Sequence, residues 1–366
     1  MQDFLVAWRT VELRDRQVID GLVDGAHSAP SPALAAALAR WPGHYYWSDE
    51  PGGRRLVLTL VRARPRERWW LHVALLLATI ATTTYAGAIL AGTLVPGHLL
   101  GLFHALPDVA ATPAVWLAGL QFSLPLVAIL LAHELGHYVT ARRYGLDASP
   151  PYFIPVPLWP SPIGTMGAFI RLRTILSDRR QLLDVGAGGP LAGFVIALPL
   201  LVWGMARSAP LADATGLHGL VIWFGARPAE LGDSLITLAA RHLFHSGAGA
   251  VALDPMGFAG WMGMFVTMLN LFPISQLDGG HVLYAALPRW HERAALVFWG
   301  VLFLLGWYGW QGWMLWAGII LVLSRGRLGH PPVLDAVRPL PRHGTLVAVA
   351  TLVLFVVTFV PIPFRL

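Results

Sequence analysis

From Thr112 to Leu131 the chain carries no charged side chain, and this run leads straight into Ala132-His133-Glu134-Leu135-Gly136-His137-Tyr138. A helix needs about 20 apolar residues to cross the hydrocarbon layer of a bilayer. The stretch is therefore expected to span a membrane while hosting three ionisable side chains, which are costly there and usually functional. On a helix, positions i and i+4 lie on one face a turn apart, so His133 and His137 can direct ring nitrogens at a single ion. Glu134 sits beside them, placed to take a proton from a water whose pKa zinc lowers to about 7 and to pass it to a leaving amine. The plainer explanation is a chance meeting of polar residues or a helix cap.

The rest of the chain favours the membrane setting. Its 366 residues are 56% hydrophobic and 13% charged, with 16 Trp, which leaves too little polar surface to clothe a soluble globule. The 26 basic residues are all Arg and outnumber 20 acids, a bias that in a membrane protein reports topology; no nucleic-acid partner is expected. Without Cys, any zinc must be held by His and carboxylates. The first 20 residues alternate charged with apolar positions and do not form a cleavable signal peptide.

Candidate spans fall at 72–95, 113–140, 184–206, 256–277, 294–324 and 345–362. Arg clusters at 62–68, 142–143, 171–180 and 289–293 flank the first four at alternating ends. If those clusters are cytoplasmic, the N-terminus is inside and the loop at 207–255 is outside. The block at 294–324 holds Gly306-Trp-Tyr-Gly309-Trp-Gln-Gly312 in its middle and is expected to form two short spans or a hairpin. The expected fold is an all-α polytopic membrane protein with about 6–7 transmembrane helices. Its parts are a small soluble N-terminal region at 1–70, a membrane core at 71–285 and further spans at 286–366.

A catalytic zinc needs a third protein ligand. Asp278, in the stretch Asn270-Leu-Phe-Pro273-Ile-Ser-Gln-Leu-Asp278-Gly279-Gly280-His281, is the only acid between Asp254 and Glu292. Asp-Gly is also a common turn dipeptide, so a helix-end cap is an equal explanation of that residue taken alone. Topology tilts the balance: the spans that carry His137 and Asp278 run the same way, and the zinc would sit about 8 Å inside the boundary marked by Arg142.

The pair His133-Glu134-x-x-His137 and Asn270-x-x-Pro273-x-x-x-x-Asp278-Gly279 resembles the paired motifs of the site-2 protease family of intramembrane zinc metalloproteases, and the likeness covers roughly residues 113–285. Asp184-Val-Gly-Ala-Gly-Gly-Pro-Leu-Ala-Gly193-Phe194 looks like that family's glycine-rich middle span. The resemblance implies one Zn2+ per chain held by His133, His137 and Asp278, with Glu134 as general base. It implies that Asn270 binds the substrate backbone or the developing oxyanion, against the alternative of a buried amide bonded to helix backbone. It further implies a transmembrane protein as substrate, cut within or near its spanning segment, and a multi-pass location, expected in the cell membrane. The region 150–173 resembles the family's small membrane-associated β element, its end Gly167-Ala-Phe-Ile-Arg-Leu-Arg173 alternating as a strand would; an amphipathic surface loop is as good a reading of the residues. Gly189 and Gly193 form a step that close helix packing alone explains. His281 and His330 are candidates for outer or gating roles and are left outside the site.

Two rivals remain open on the sequence. One is another membrane zinc peptidase whose third ligand is Glu230 or Glu292, the only later glutamates. The other is a transporter using the same His/Glu cluster as a cation or proton path. No PDZ-like insert and no regulatory domain after the last span are visible, so how substrate is selected stays open, as does the oligomeric state.

Overall fold

A computed structural model describes residues 2–12, 16–29, 31–50, 53–61, 67–92, 113–156, 161–173, 176, 178–212, 216–224, 227–331, 333 and 340–365. The Arg cluster assigned to 62–68 lies largely outside these residues. The chain divides into two compact units, Met1–Glu67 with Leu172–Ile175, and Arg68–Arg171 with Leu176–Leu366.

The smaller unit is an antiparallel sheet of order β1-β2-β4-β3, built from β1 (Leu5–Glu12), β2 (Arg16–Val23), β3 (His44–Glu50) and β4 (Gly53–Val61), with helix α1 (Pro32–Ala39). Ser31 caps α1 by accepting from the Leu34 amide, and Pro32 occupies the first turn where its missing N–H costs nothing. Leu34 and Leu38 from the helix meet Leu56 and Leu58 from the sheet in a small core. Across β2 and β4, Arg55 binds both carboxylate oxygens of Asp20 at 2.8 Å.

The larger unit is mostly helical. Among the described residues, three helices are long and apolar enough to cross a membrane: α2 (Trp69–Leu90), α3 (Pro113–Arg143) and α4 (Arg179–Arg207). They pack through small residues, since a Cβ on Gly119 would lie 2.1 Å from the Thr84 carbonyl oxygen, and one on Gly136 would lie 2.2 Å from that of Gly188. Backbones at that distance give the dispersion contact that holds helices together without a hydrophobic drive. Leu117, Leu124 and Val195 point outward, more than half exposed.

Between α2–α3 and the next span, β5 (Tyr152–Pro155) pairs antiparallel with β6 (Thr165–Phe169). The expected fourth span at 256–277 does not form one helix. Helix α6 (Pro255–Asn270) stops at Asn270, and a turn carries the chain to α7 (Asp278–Ala286). The cause is local: Pro273 cannot continue a helix, and Ser275 holds φ of 50°, in the left-handed region. The block at 294–324 is likewise divided, into α8 (Pro288–Tyr308) and α9 (Gly312–Leu323), and α10 (Arg342–Thr358) follows.

The all-α expectation needs a second correction at 207–255. This segment is not a plain loop: it contributes β7 (Ala209–Pro210), β8 (Gly219–Phe224), β9 (Arg227–Leu231), α5 (Leu235–Phe244) and β10 (Ala250–Ala252). With β11 (Phe364–Arg365) from after α10 they make a sheet of order β11-β9-β8-β10-β7. Leu220-Val-Ile222 on β8 is a buried apolar run, and one edge of the sheet is completed by β11, which pairs with β9 from more than a hundred residues later in the chain, a partner that local pattern could not announce. The ends of α4 and α6 meet at this sheet, where Arg207 pairs with Asp254 at 3.1 Å.

Candidate metal centre

His133, Glu134 and His137 are all buried on α3. The Nε2 atoms of His133 and His137 lie 3.1 Å apart, and Asp278 Oδ2 lies 3.2 Å from the first and 3.3 Å from the second. Three donor atoms thus form a nearly equilateral triangle. Tetrahedral ligands about 2.0–2.1 Å from zinc stand about 3.3–3.4 Å from one another, so one ion above the triangle would reach all three. The donors suit zinc in kind as well: two imidazoles, one carboxylate, and a fourth direction left open. Among the described residues this is the only group of three such side chains with converging ligand atoms.

The neighbours explain why the rings face that point. His137 Nδ1–H donates to the Val185 carbonyl at 2.7 Å, which leaves Nε2 as the free lone pair. Pro190 lies one turn further along α4 and lacks the N–H that would bond the Gly186 carbonyl, so the helix ladder is interrupted beside the carbonyl that His137 uses. Gly189 makes room for the ring itself, because a Cβ there would fall 2.1 Å from His137 Nε2; Gly193 does the same more loosely for His133. The glycine-rich run is therefore more than a packing step. Its contribution to the centre was not legible from the spacing Gly189-x-x-x-Gly193, which says how closely two helices approach and not which side chain fills the space.

Asp278 is the first residue of α7, whose cap position, Leu277, offers no side-chain hydrogen bond. Its carboxylate is turned to the two imidazoles and does not cap the helix. The turn that delivers it is tight: a Cβ on Gly279 would lie 1.8 Å from the Leu271 carbonyl oxygen, and one on Gly280 would lie 2.4 Å from that of Ser275. Asp278-Gly-Gly thus folds back onto the end of α6. Asn270, the last residue of α6, is brought to the same centre with its side-chain amide nitrogen 3.2 Å from His133 Nε2. Glu134 points beside the ligand triangle, and the backbone N–H of Ile170, just past β6, reaches its carboxyl.

The two alternative carboxylates lie elsewhere. Glu230 on β9 accepts from the His218 amide at 2.9 Å, and Glu292 borders the turn at Gly329. His281 and His330 hydrogen-bond to each other at 2.8 Å and are not among the converging donors.

A family model described as peptidase family M50 matches residues 121–306, just over half of the chain. Among curated proteins, the chain is 29% identical over 262 residues to "Probable zinc metalloprotease EGY1, chloroplastic" of Oryza sativa subsp. japonica, covering 66% of this chain and 43% of that protein. It is 31% identical over 176 residues to "Probable zinc metalloprotease EGY2, chloroplastic" of Arabidopsis thaliana, covering 47% of this chain and 29% of that protein. The chain thus spans less than half the length of these relatives. No solved structure matches it.

Proposed function

This chain belongs to peptidase family M50, the site-2 protease family, and from that premise we propose that it is an intramembrane zinc metalloprotease acting on membrane proteins within or near their spanning segments. The observation that carries the reading is the triangle of donors from His133, His137 and Asp278, placed among apolar helices. Zinc bound there supplies Lewis acidity, polarising a scissile carbonyl and lowering the pKa of water to about 7. Each remaining part falls to a residue of the chain.

His133 and His137 hold the ion from α3, and Asp278 completes the set from α7. Glu134 takes up the proton of the attacking water and delivers it to the leaving amine. Asn270 turns its amide to the carbonyl under attack, because its His133 partner atom is used in ligation once zinc is present. A substrate helix hides its carbonyls in its own hydrogen bonds and must be unwound first. The edge of β6 opposite β5 carries no strand among the described residues, and β6 leads into Ile170 beside Glu134, so an extended substrate pairing there would arrive at the base.

In the same reading the chain crosses the membrane about six or seven times, adding α6 with α7, the α8–α9 hairpin and α10 to the three long helices. Residues 1–70 form a soluble region, 71–285 the protease core and 286–366 additional spans. The Arg-rich ends of α3 and α4 face the cytoplasm, the N-terminus lies on that side, and the membrane is the cell membrane. The substrate is a transmembrane protein.

The test is co-expression with a panel of single-span membrane proteins whose helices contain Gly, Asn or Pro, which make unwinding cheaper. Fragments released by the parent should disappear on chelation and return with added zinc. Cleavage that persists in full after verified zinc removal would overturn the proposal, and zinc-dependent ion flux with no fragment from any substrate would favour a transporter.

A further inference from the structure

We infer that α5 (Leu235–Phe244) is an in-plane membrane helix whose outer face is embedded in the headgroup–acyl boundary of the bilayer. A surface helix of a water-exposed domain turns its large apolar residues toward the protein. Here the sidedness is reversed. Leu235 is 58% exposed, Leu238 47% and Leu243 75%, with Phe244 beside them at 38%, while Thr237 and Ala240 are buried against the protein. Leu235, Leu238, Ala239 and Leu243 fall within one outward arc of about 140° at about 100° per residue, with the exposed His242 inside it, so the outward residues form one face and are not scattered.

The depth of α5 says what covers that stripe. At its C-terminal end His245 Nε2–H donates to the Met205 carbonyl at 2.8 Å, within the last turn of the spanning helix α4. At its N-terminal end the Gly232 carbonyl accepts from the Trp261 indole N–H at 3.0 Å, and Trp261 stands about 9 Å along α6 from its first residue. Both ends are therefore tied to membrane helices inside their boundaries and not above them. Trp203, two residues before Met205, is 64% exposed, so the lipid-facing surface of α4 continues at this level with the kind of side chain that favours the interface. Arg241 turns its charge inward by pairing with Asp233 at 2.8 Å, and Ser234 caps the first turn in a reciprocal pair with Thr237, so the first-turn amides are met by the helix itself. The occupant that fits an outward face of Leu235, Leu238 and Leu243 with one histidine, at this depth, is the headgroup–acyl boundary of lipid.

The chain has no cysteine, so single reporters can be placed at will. Leu238→Cys and Leu243→Cys, labelled with bimane and reconstituted in phosphatidylcholine, are compared with Val195→Cys in mid-span α4 and His218→Cys just before β8. Lipids brominated near the top of the acyl chain should quench the two α5 labels severalfold more than the His218 label, and aqueous iodide should do the reverse. The Val195 label, read with lipids brominated deep in the chain, tests the spanning assignment separately. If Val195 is quenched by lipid while Leu238 and Leu243 respond to iodide as His218 does, α5 lies in water and the inference is wrong. Protection of the α5 labels from both quenchers would also overturn it, in favour of a protein partner or second copy on that face.

Discussion

At the metal centre two imidazoles keep their Nε2 atoms free and aim them at a carboxylate, whereas in a second group, His281, His291 and His330, one ring bonds another and the remaining bonds go to backbone. In that group His330 Nδ1–H donates to the Pro331 carbonyl, so its Nε2 accepts from His281, and the His330 backbone N–H donates to His291 Nδ1 at 3.3 Å. No acid completes it among the described residues. The first group takes its histidines from α3 and its acid from the start of α7; the second takes His281 from α7, His291 from α8 and His330 from the segment after α9. What separates a metal centre from a structural cluster is the direction of the lone pairs and the presence of a negative charge to offset the ion, not the number of histidines.

The largest expected effect follows from breaking the first group. Ala at His133, His137 or Asp278 should weaken zinc binding by more than about 100-fold, beyond the cost of losing an outer partner of a ligand. His330→Ala should leave zinc content unchanged. Metal analysis of purified folded protein decides this, and full occupancy in Asp278→Ala would remove that residue from the ligand set.

Next comes the separation of chemistry from ligation. Gln at position 134 keeps the shape and hydrogen bonding of Glu but cannot accept a full proton at neutral pH. Glu134→Gln should retain zinc while cleavage falls by about 10²–10⁴-fold, the usual range for a general base. Cleavage at the parent's rate would show that another group takes the proton.

A subtler break lies in the space around the rings. Gly189→Ala puts a methyl where His137 Nε2 lies, so the ring must turn and zinc affinity should drop by about 10–100-fold, as for other disturbances of ligand orientation. A competitive chelator titration measures it; unchanged affinity would mean that α4 moves aside at little cost.

The smallest effect sharpens the other half of the comparison. His291 precedes the apolar block that opens at 294, and burial, with the neighbouring His330, holds its ring at a pKa of about 4, below the ordinary 6.5. Its Nδ1 already accepts from the His330 amide, so a second ring proton would meet a donor. The folded ring thus binds its proton less tightly than the unfolded one. Stability from this residue is present above about 6.5 and is lost as pH falls toward about 4. Replacing it with Asn should remove about 1–3 kcal/mol of the acid sensitivity in that window, read from thermal unfolding at several pH values. An identical pH profile in the variant would assign the acid sensitivity to other groups.

Much of this molecule was legible residue by residue. The uncharged run before Ala132 announces a span, the i and i+4 histidines announce one shared face, and Gly309 to Gly312 announce the break between α8 and α9. These are short-range properties: periodicity, charge and turn chemistry act over one or two turns. The end of α6 was harder, because a continuous apolar count over 256–277 hid a helix stop that Pro273 signals and that Ser275 enforces with an unusual backbone angle. The sheet at 209–252 was missed because its strands are very short and its edge partner comes from beyond α10. For α5, the sequence has the apolar period of any amphipathic helix, and only burial reveals that the apolar side faces away from the protein.

By itself, then, the sequence determined that the chain lies in a membrane, and that His133, Glu134 and His137 share a helix with the spacing zinc requires, since both follow from local composition and helical pitch. The tertiary structure brings Asp278, the acid that the sequence already favoured, to those histidines, and it alone decided that Val185 orients one of them and that Gly189 leaves the room in which it turns. The physical reason is that such contacts join segments far apart in the chain, and their distances are set by how closely α3, α4 and α7 can pack rather than by any pattern within one of them.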